Sequence, residues 1–234
     1  MAGNTGSGGS SIGRDDRAMA RRALPPTASD DEVLALLDRY RCPVPFHVVR
    51  TRFLGSIASP GPDASPIKLV QALWGGTLPA FDNLDAANEL IGALVMGLWN
   101  RLTRHQERSA PFRLTRMNVP ASREGLVALA RLRREELDGF VDGLFGDQER
   151  LDVPERAAKA LDALAQLRAM VEATRVLADD TSKPAEPGEM AVTLHHFREM
   201  TRIAEHEMHE VVLSCTRARR QMMPTLPARR PTVH

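Results

Sequence analysis

The chain predicts an all-α fold: a multi-helix bundle with a long C-terminal helix and disordered termini. Three observations point there. Only 4% of the 234 residues are aromatic, and strands draw on aromatic and β-branched side chains that are scarce here. Leu and Ala recur at helical spacing along most of the sequence. Proline, glycine and N-capping residues punctuate the helical stretches at their ends. A bundle covering residues 29–179 can bury a core without disulfides or metals.

Residues 1–28 are rich in Gly and Ser, then in Arg and Asp, with Pro25-Pro26 near the end. Such a composition buries too little apolar surface to offset chain entropy, which predicts a disordered leader. Ser29 with Asp30, Asp31 and Glu32 forms a capping box that opens a short helix through Val33, Leu34, Leu36 and Leu37. Pro43 and Pro45 end it. A second helix follows from Pro45 to about Ala58, with Phe46, Val49, Phe53, Leu54 and Ile57 as its apolar face. It stops at the Ser59-Pro60-Gly61-Pro62 turn. Ser65-Pro66 caps a short helix through Ile67, Leu69, Val70, Leu73 and Trp74 that ends at Gly75-Gly76.

The longest dense apolar stretch runs from Leu84 to Leu102, in a helix expected from Asp82–Asp85 to about Arg108. Leu90, Ile91, Ala93, Leu94, Val95, Met96, Leu98 and Trp99 cover nearly every direction around its axis, the mark of a helix enclosed by the others. An irregular connector over 109–120 is expected to be pinned by its apolar residues, Phe112, Met117 and Val119 among them. The next helix opens at Ala121-Ser122. Its buried stripe is Leu126, Leu129, Ala130, Leu132, Leu137, Phe140, Val141, Leu144 and Phe145, and its wet face Arg131, Arg133, Arg134 and Glu135. Gly139 and Gly143 lie four apart on it. Each costs about 0.5–1 kcal/mol relative to alanine in a helix interior, so the pair predicts close approach of another helix. Val153-Pro154 starts a helix to about Asp179, residues 180–188 with Pro184 and Pro187 form a hinge, and a last helix spans 189–223. After such a hinge the last helix is free to pack away from the bundle. Residues 224–234, with Pro224, Pro227 and Pro231, form a basic tail expected to be disordered.

Four of these segments together resemble the YecA/YgfB-like family of small helical bacterial proteins. That family's Gly-Phe-Leu-Thr helix end with a Gly-Pro turn is approximated by Arg52 to Pro62, and its Pro-x-x-Trp/Leu-Trp-Gly helix by Pro66 to Gly75. The aromatic–Asn pair of its long helix matches Trp99-Asn100, and its Trp-x-x-Gly-Phe-x-x-Gly helix is echoed by Glu136 to Gly143. Arg52 stands where the pattern has glycine, and Glu136 where it has tryptophan. The resemblance implies a helical fold and carries over no catalytic residues. Some relatives carry a C-terminal zinc-binding SEC-C module, whose cysteine cluster this chain lacks.

A formal net charge of +1 gives no long-range field that argues for nucleic acid or an anionic membrane. Cys42 and Cys215 have no CxxC spacing, so neither a disulfide framework nor structural zinc is indicated, and a reducing cytoplasm fits. The run Leu90 to Trp99 is far shorter than the roughly 20 residues of a membrane span. No P-loop or dinucleotide fingerprint occurs.

Three constellations could carry chemistry. On the last helix His195, Glu199, His206, His209 and Glu210 share one face, and Glu199, His206 and His209 are the candidate metal ligands. The opposite face (Leu194, Phe197, Ala204, Met208, Val211, Val212, Cys215) must point inward, which turns the stripe to water, and Arg202 intrudes on it. Neither HExxH nor Glu-x-x-His is present, so no metal is assigned. Second, Glu135, Asp138 and Asp142 form an acidic stripe, expected to be a solvated surface or to answer arginines on a neighbouring helix. Third, Arg217, Arg219, Arg220, Arg229 and Arg230 could touch phosphates, but no stacking aromatic accompanies them. His47 is expected to be a packing or surface residue, and Ser214-Cys215 has no base along its helix. The sequence thus predicts a non-enzymatic cytoplasmic interaction or adaptor protein, without cofactor, whose partner is another protein or a second copy. The rivals are a metal protein using the His/Glu stripe and a nucleic-acid regulator using the arginine tail.

Overall fold

A computed structural model describes residues 28–61, 65–182 and 186–222. Most of the expected leader, the tail 224–234 and part of the 180–188 hinge therefore lie outside the described residues, as do Arg229 and Arg230. Among the described residues every regular element is helical. The helices are α1 (Asp30–Arg39), α2 (Phe46–Ala58), α3 (Pro66–Ala72), α4 (Leu84–Ile91), α5 (Asn100–Thr103), α6 (Arg123–Phe145), α7 (Glu155–Asp179) and α8 (Pro187–Met222). A π-helical stretch, Gly92–Trp99, joins α4 to α5, and a 3-10 turn, Arg104–Gln106, follows α5. None of these helices is long and apolar enough to cross a membrane.

Local signals set the ends as read. The Ser29 hydroxyl accepts the Glu32 N–H while Glu32 accepts that of Ser29, a complete capping box. Ser65, Asn83 and Ser122 cap α3, α4 and α6 in the same manner through their side-chain oxygens.

The centre of the bundle is α2 rather than the stretch Leu84 to Leu102. In α2 nine residues are buried, Thr51, Gly55 and Ser56 among them, and the helix packs on α6, α8, α5 and the π segment. The 84–102 region instead lies against the bundle with one side outward: Leu90, Leu94 and Leu98 are buried, but Leu84 is 74% and Met96 52% exposed. The expected all-round burial fails because its apolar surplus faces water, while α2 buries small polar residues, Thr51 and Ser56, beside its apolar face.

The glycine pair on α6 marks the closest helix contact. A Cβ on Gly143 would overlap the Arg52 carbonyl, one on Gly139 would lie 2.7 Å from the Thr51 hydroxyl, and one on Gly55 would overlap the Phe140 carbonyl. Three glycines thus let the α2 and α6 backbones meet, with Val48, Phe53, Leu54, Phe140 and Leu144 sealing the contact on either side.

Two apolar cores result. The larger joins α1 to α8 around Phe53, Leu94, Phe112, Phe140, Leu164 and Met208. The smaller lies where the start of α6, the end of α7 and the start of α8 converge, around Leu126, Leu129, Val171 and Phe197. Because α8 contributes to both and packs on α7, α2 and α6, it belongs to the bundle and does not stand off from it. Its whole predicted apolar face, Leu194 to Cys215, is buried.

Candidate functional site

The connector between the 3-10 turn and α6 crosses α6 and α8 without regular secondary structure, and buried charge holds it there. Phe112 and Leu114 sink into the core, whereas Met117, expected to pin the segment, is 40% exposed. The fastening is polar. Glu136 of α6, fully buried, accepts the Thr115 N–H at 2.7 Å, and Arg133, one turn earlier, donates to the Thr115 carbonyl at 2.7 Å. Arg133 and Glu136 also pair with each other. Arg133 also donates to the Thr201 hydroxyl of α8, 3.1 Å away. In the same way Glu205 of α8 accepts the Leu114 N–H at 3.0 Å and pairs with Arg113 at 2.6 Å. The Leu114 and Thr115 amides, displaced from water, thereby meet carboxylate acceptors, which compensates burial that would otherwise be costly.

Arg133 was expected on the wet face of α6 and is buried, while Val141, expected inside, is 37% exposed. The signal was legible in retrospect. Residues 129, 133, 136, 137 and 140 share one helix face, so Arg133 and Glu136 interrupt a buried stripe at i, i+3, the spacing of an internal ion pair.

The candidate metal residues do not converge. Glu199 pairs with Arg202 at 2.6 Å, and Glu210 with Arg156 at 3.0 Å, so arginines take the carboxylates of the stripe. His195 and His206 are exposed, but His209 is buried, contrary to the expectation that the entire stripe faces water. Among the described residues its ring nitrogens have no hydrogen-bond partner of normal geometry, although the Arg108 backbone lies near enough to favour its charged form. Burial dominates and pushes the His209 pKa below the ordinary imidazole value, assisted by His206 and Arg113. His105 is depressed by burial as well; it bonds the Ala110 carbonyl at 2.6 Å and meets Phe112 edge-on. Among the described residues no group of three or more His, Cys, Asp and Glu side chains is placed to hold a metal ion.

Each acid of the α6 stripe answers a base on a neighbouring helix. Glu135 meets His47 at 2.8 Å, Asp142 meets Arg52 at 3.1 Å, and Asp138 bonds Arg168 of α7. His47 is thus an inter-helix partner. Burial pushes the Cys215 thiol up to about 11, which removes it as a nucleophile near neutral pH. Of the basic C-terminal residues, Arg219 is spent within the fold, donating at 3.1 Å to both the Ile57 and Ser59 carbonyls at the end of α2.

Two further surfaces stand out. One is a cleft of about 410 Å³ between the connector, α6 and α8, lined by Arg113, Arg116, Arg133, Arg198, Arg202 and Glu205 among others. The other is the outer face of α7, where Met170, Val176 and Leu177 are 52%, 53% and 61% exposed, with exposed Ala169 and Ala173 between them. No family model, curated protein or solved structure matches this chain.

Proposed function

We propose that this chain is a non-enzymatic cytoplasmic interaction module of YecA/YgfB-like type that binds another protein, or a second copy of itself, through the outer face of α7. The observation that carries the reading is that α7 is apolar on two faces. Ala157, Ala160, Leu164, Leu167 and Val171 face the bundle, while Met170, Ala173 and Leu177 recur at i, i+3 and i+7 on the outside. A helix apolar on both sides gains from being enclosed on both. The two departures from the family pattern each have a partner in the fold: Glu136 has Arg133, and Arg52 has Asp142.

Light scattering at several concentrations, with Met170→Glu and Leu177→Glu as comparators, tests the interaction. The expected result is an oligomer, or a complex captured from host lysate, that either variant disrupts without loss of helix content. A strict monomer that captures nothing overturns the proposal.

A further inference from the structure

We infer that the arginine-lined cleft between the connector, α6 and α8 is a binding site for the phosphate group of a small molecule. The inference is independent of the α7 surface. Five arginines and one carboxylate line the cleft, in a chain whose formal net charge is only +1. Three of the five are answered from within: Arg133 by Glu136, Arg113 by Glu205 and Arg202 by Glu199. Arg116 and Arg198, one from the connector and one from α8, meet no carboxylate among the described residues. Two positive charges are therefore in excess on one concave surface, where like charges brought together repel unless an anion joins them.

The cleft is built as well as charged. Arg133 is 6% exposed, and its Nε and both terminal nitrogens are fixed by Thr201, Glu136 and the Thr115 carbonyl. A guanidinium carries five N–H donors, so three bonds leave two uncommitted on a side chain that cannot swing away. Glu205 and Glu136 hold the backbone of Leu114 and Thr115, which sets where the adjacent Arg113 and Arg116 emerge. Guanidinium forks match the paired oxygens of a phosphate, and their low hydration makes them apt at a partly enclosed site. Buried Leu114 and Leu129 line the same cleft and Met117 is exposed at it, so the body of the ligand has apolar surface to rest on. The volume suits a small molecule.

Pyrophosphate is the probe, titrated into the full chain and followed by calorimetry and by the NMR signals of arginine Nε–H groups. Inorganic phosphate, malonate and chloride at matched ionic strength are the comparison arms. The expected result is saturable pyrophosphate binding that shifts Arg133 and is weakened roughly tenfold by Arg116→Gln or Arg198→Gln, as for loss of one charge-assisted contact. Both side chains are exposed and without a partner among the described residues, so the variants should fold. Arg217→Gln, at an exposed position that does not line the cleft, should leave binding unchanged. Shifts that never saturate or that chloride reproduces overturn the proposal. So does equal weakening by Arg217→Gln, which would mean diffuse charge, or saturation by malonate but by neither phosphate.

Discussion

Arg133 and Glu136 are paired one turn apart on α6 with 7% and 0% of their side chains exposed, and between them they hold both polar backbone groups of Thr115. A buried pair of this kind owes its worth to completeness, because its desolvation cost is met only while every partner is present. Glu136→Ala is therefore expected to destabilise the chain by about 3–5 kcal/mol, leaving a buried guanidinium uncompensated. Replacing both residues by Met and Leu should recover part of that loss, the remainder reflecting the freed connector. Denaturant midpoints for the two variants check the order, and a single variant as stable as the parent refutes it.

The α2–α6 contact gives a second prediction. Gly143→Ala places a methyl group on the Arg52 carbonyl, where backbone cannot give way as a side chain would, and should cost about 3 kcal/mol or more. Gly92→Ala, at a helical position with no atom near the added methyl group, should instead be neutral or stabilising by up to about 1 kcal/mol. Thermal melts of the two variants separate close packing from helix propensity.

A third prediction concerns acid. His105 and His209 are both depressed below 6.5 by burial. Arg50, Arg104 and His209 act on His105, while His206 and Arg113 oppose and Glu210 favours charge on His209. In the window between the depressed folded values and 6.5, the unfolded chain binds protons that the folded chain does not. Stability should thus be full above about pH 6.5 and fall as the pH drops toward the folded values. His209→Leu should flatten that fall; an unchanged slope in melting temperature between about pH 7 and pH 5 would count against it.

Which parts of this molecule were legible in its sequence follows from the range of the forces involved. The capping box at Ser29 and the proline and serine that open α3 are decided within a turn of helix, so local sequence carries them. The close approach at Gly139 and Gly143 was also legible, since glycine inside a helix is costly unless something needs its missing side chain. Arg133, Glu136 and Glu205 were not, because a charge is burial-prone only when a distant partner meets it, and their partners lie in the connector and on other helices. The cleft was hidden for the same reason: Arg116 and Arg198 are separated along the chain and share a surface only after α8 docks.

The stretch Leu84 to Leu102 supplies the last prediction, because its apolar residues divide into two kinds that composition cannot tell apart. Leu94 is fully buried in the main core, whereas Met96, two residues on within the same π segment, is 52% exposed. Leu94→Asp places an unpaired carboxylate among apolar neighbours, at a cost of several kcal/mol against a typical total stability of about 5–15 kcal/mol. It should unfold the domain or leave it barely folded at room temperature. Met96→Asp puts the same charge in water and should change the melting temperature little. Far-ultraviolet circular dichroism melts of the two variants decide the matter. Equal losses would mean that the outer side of this helix is covered in solution, and equal tolerance would mean that Leu94 is not part of the core.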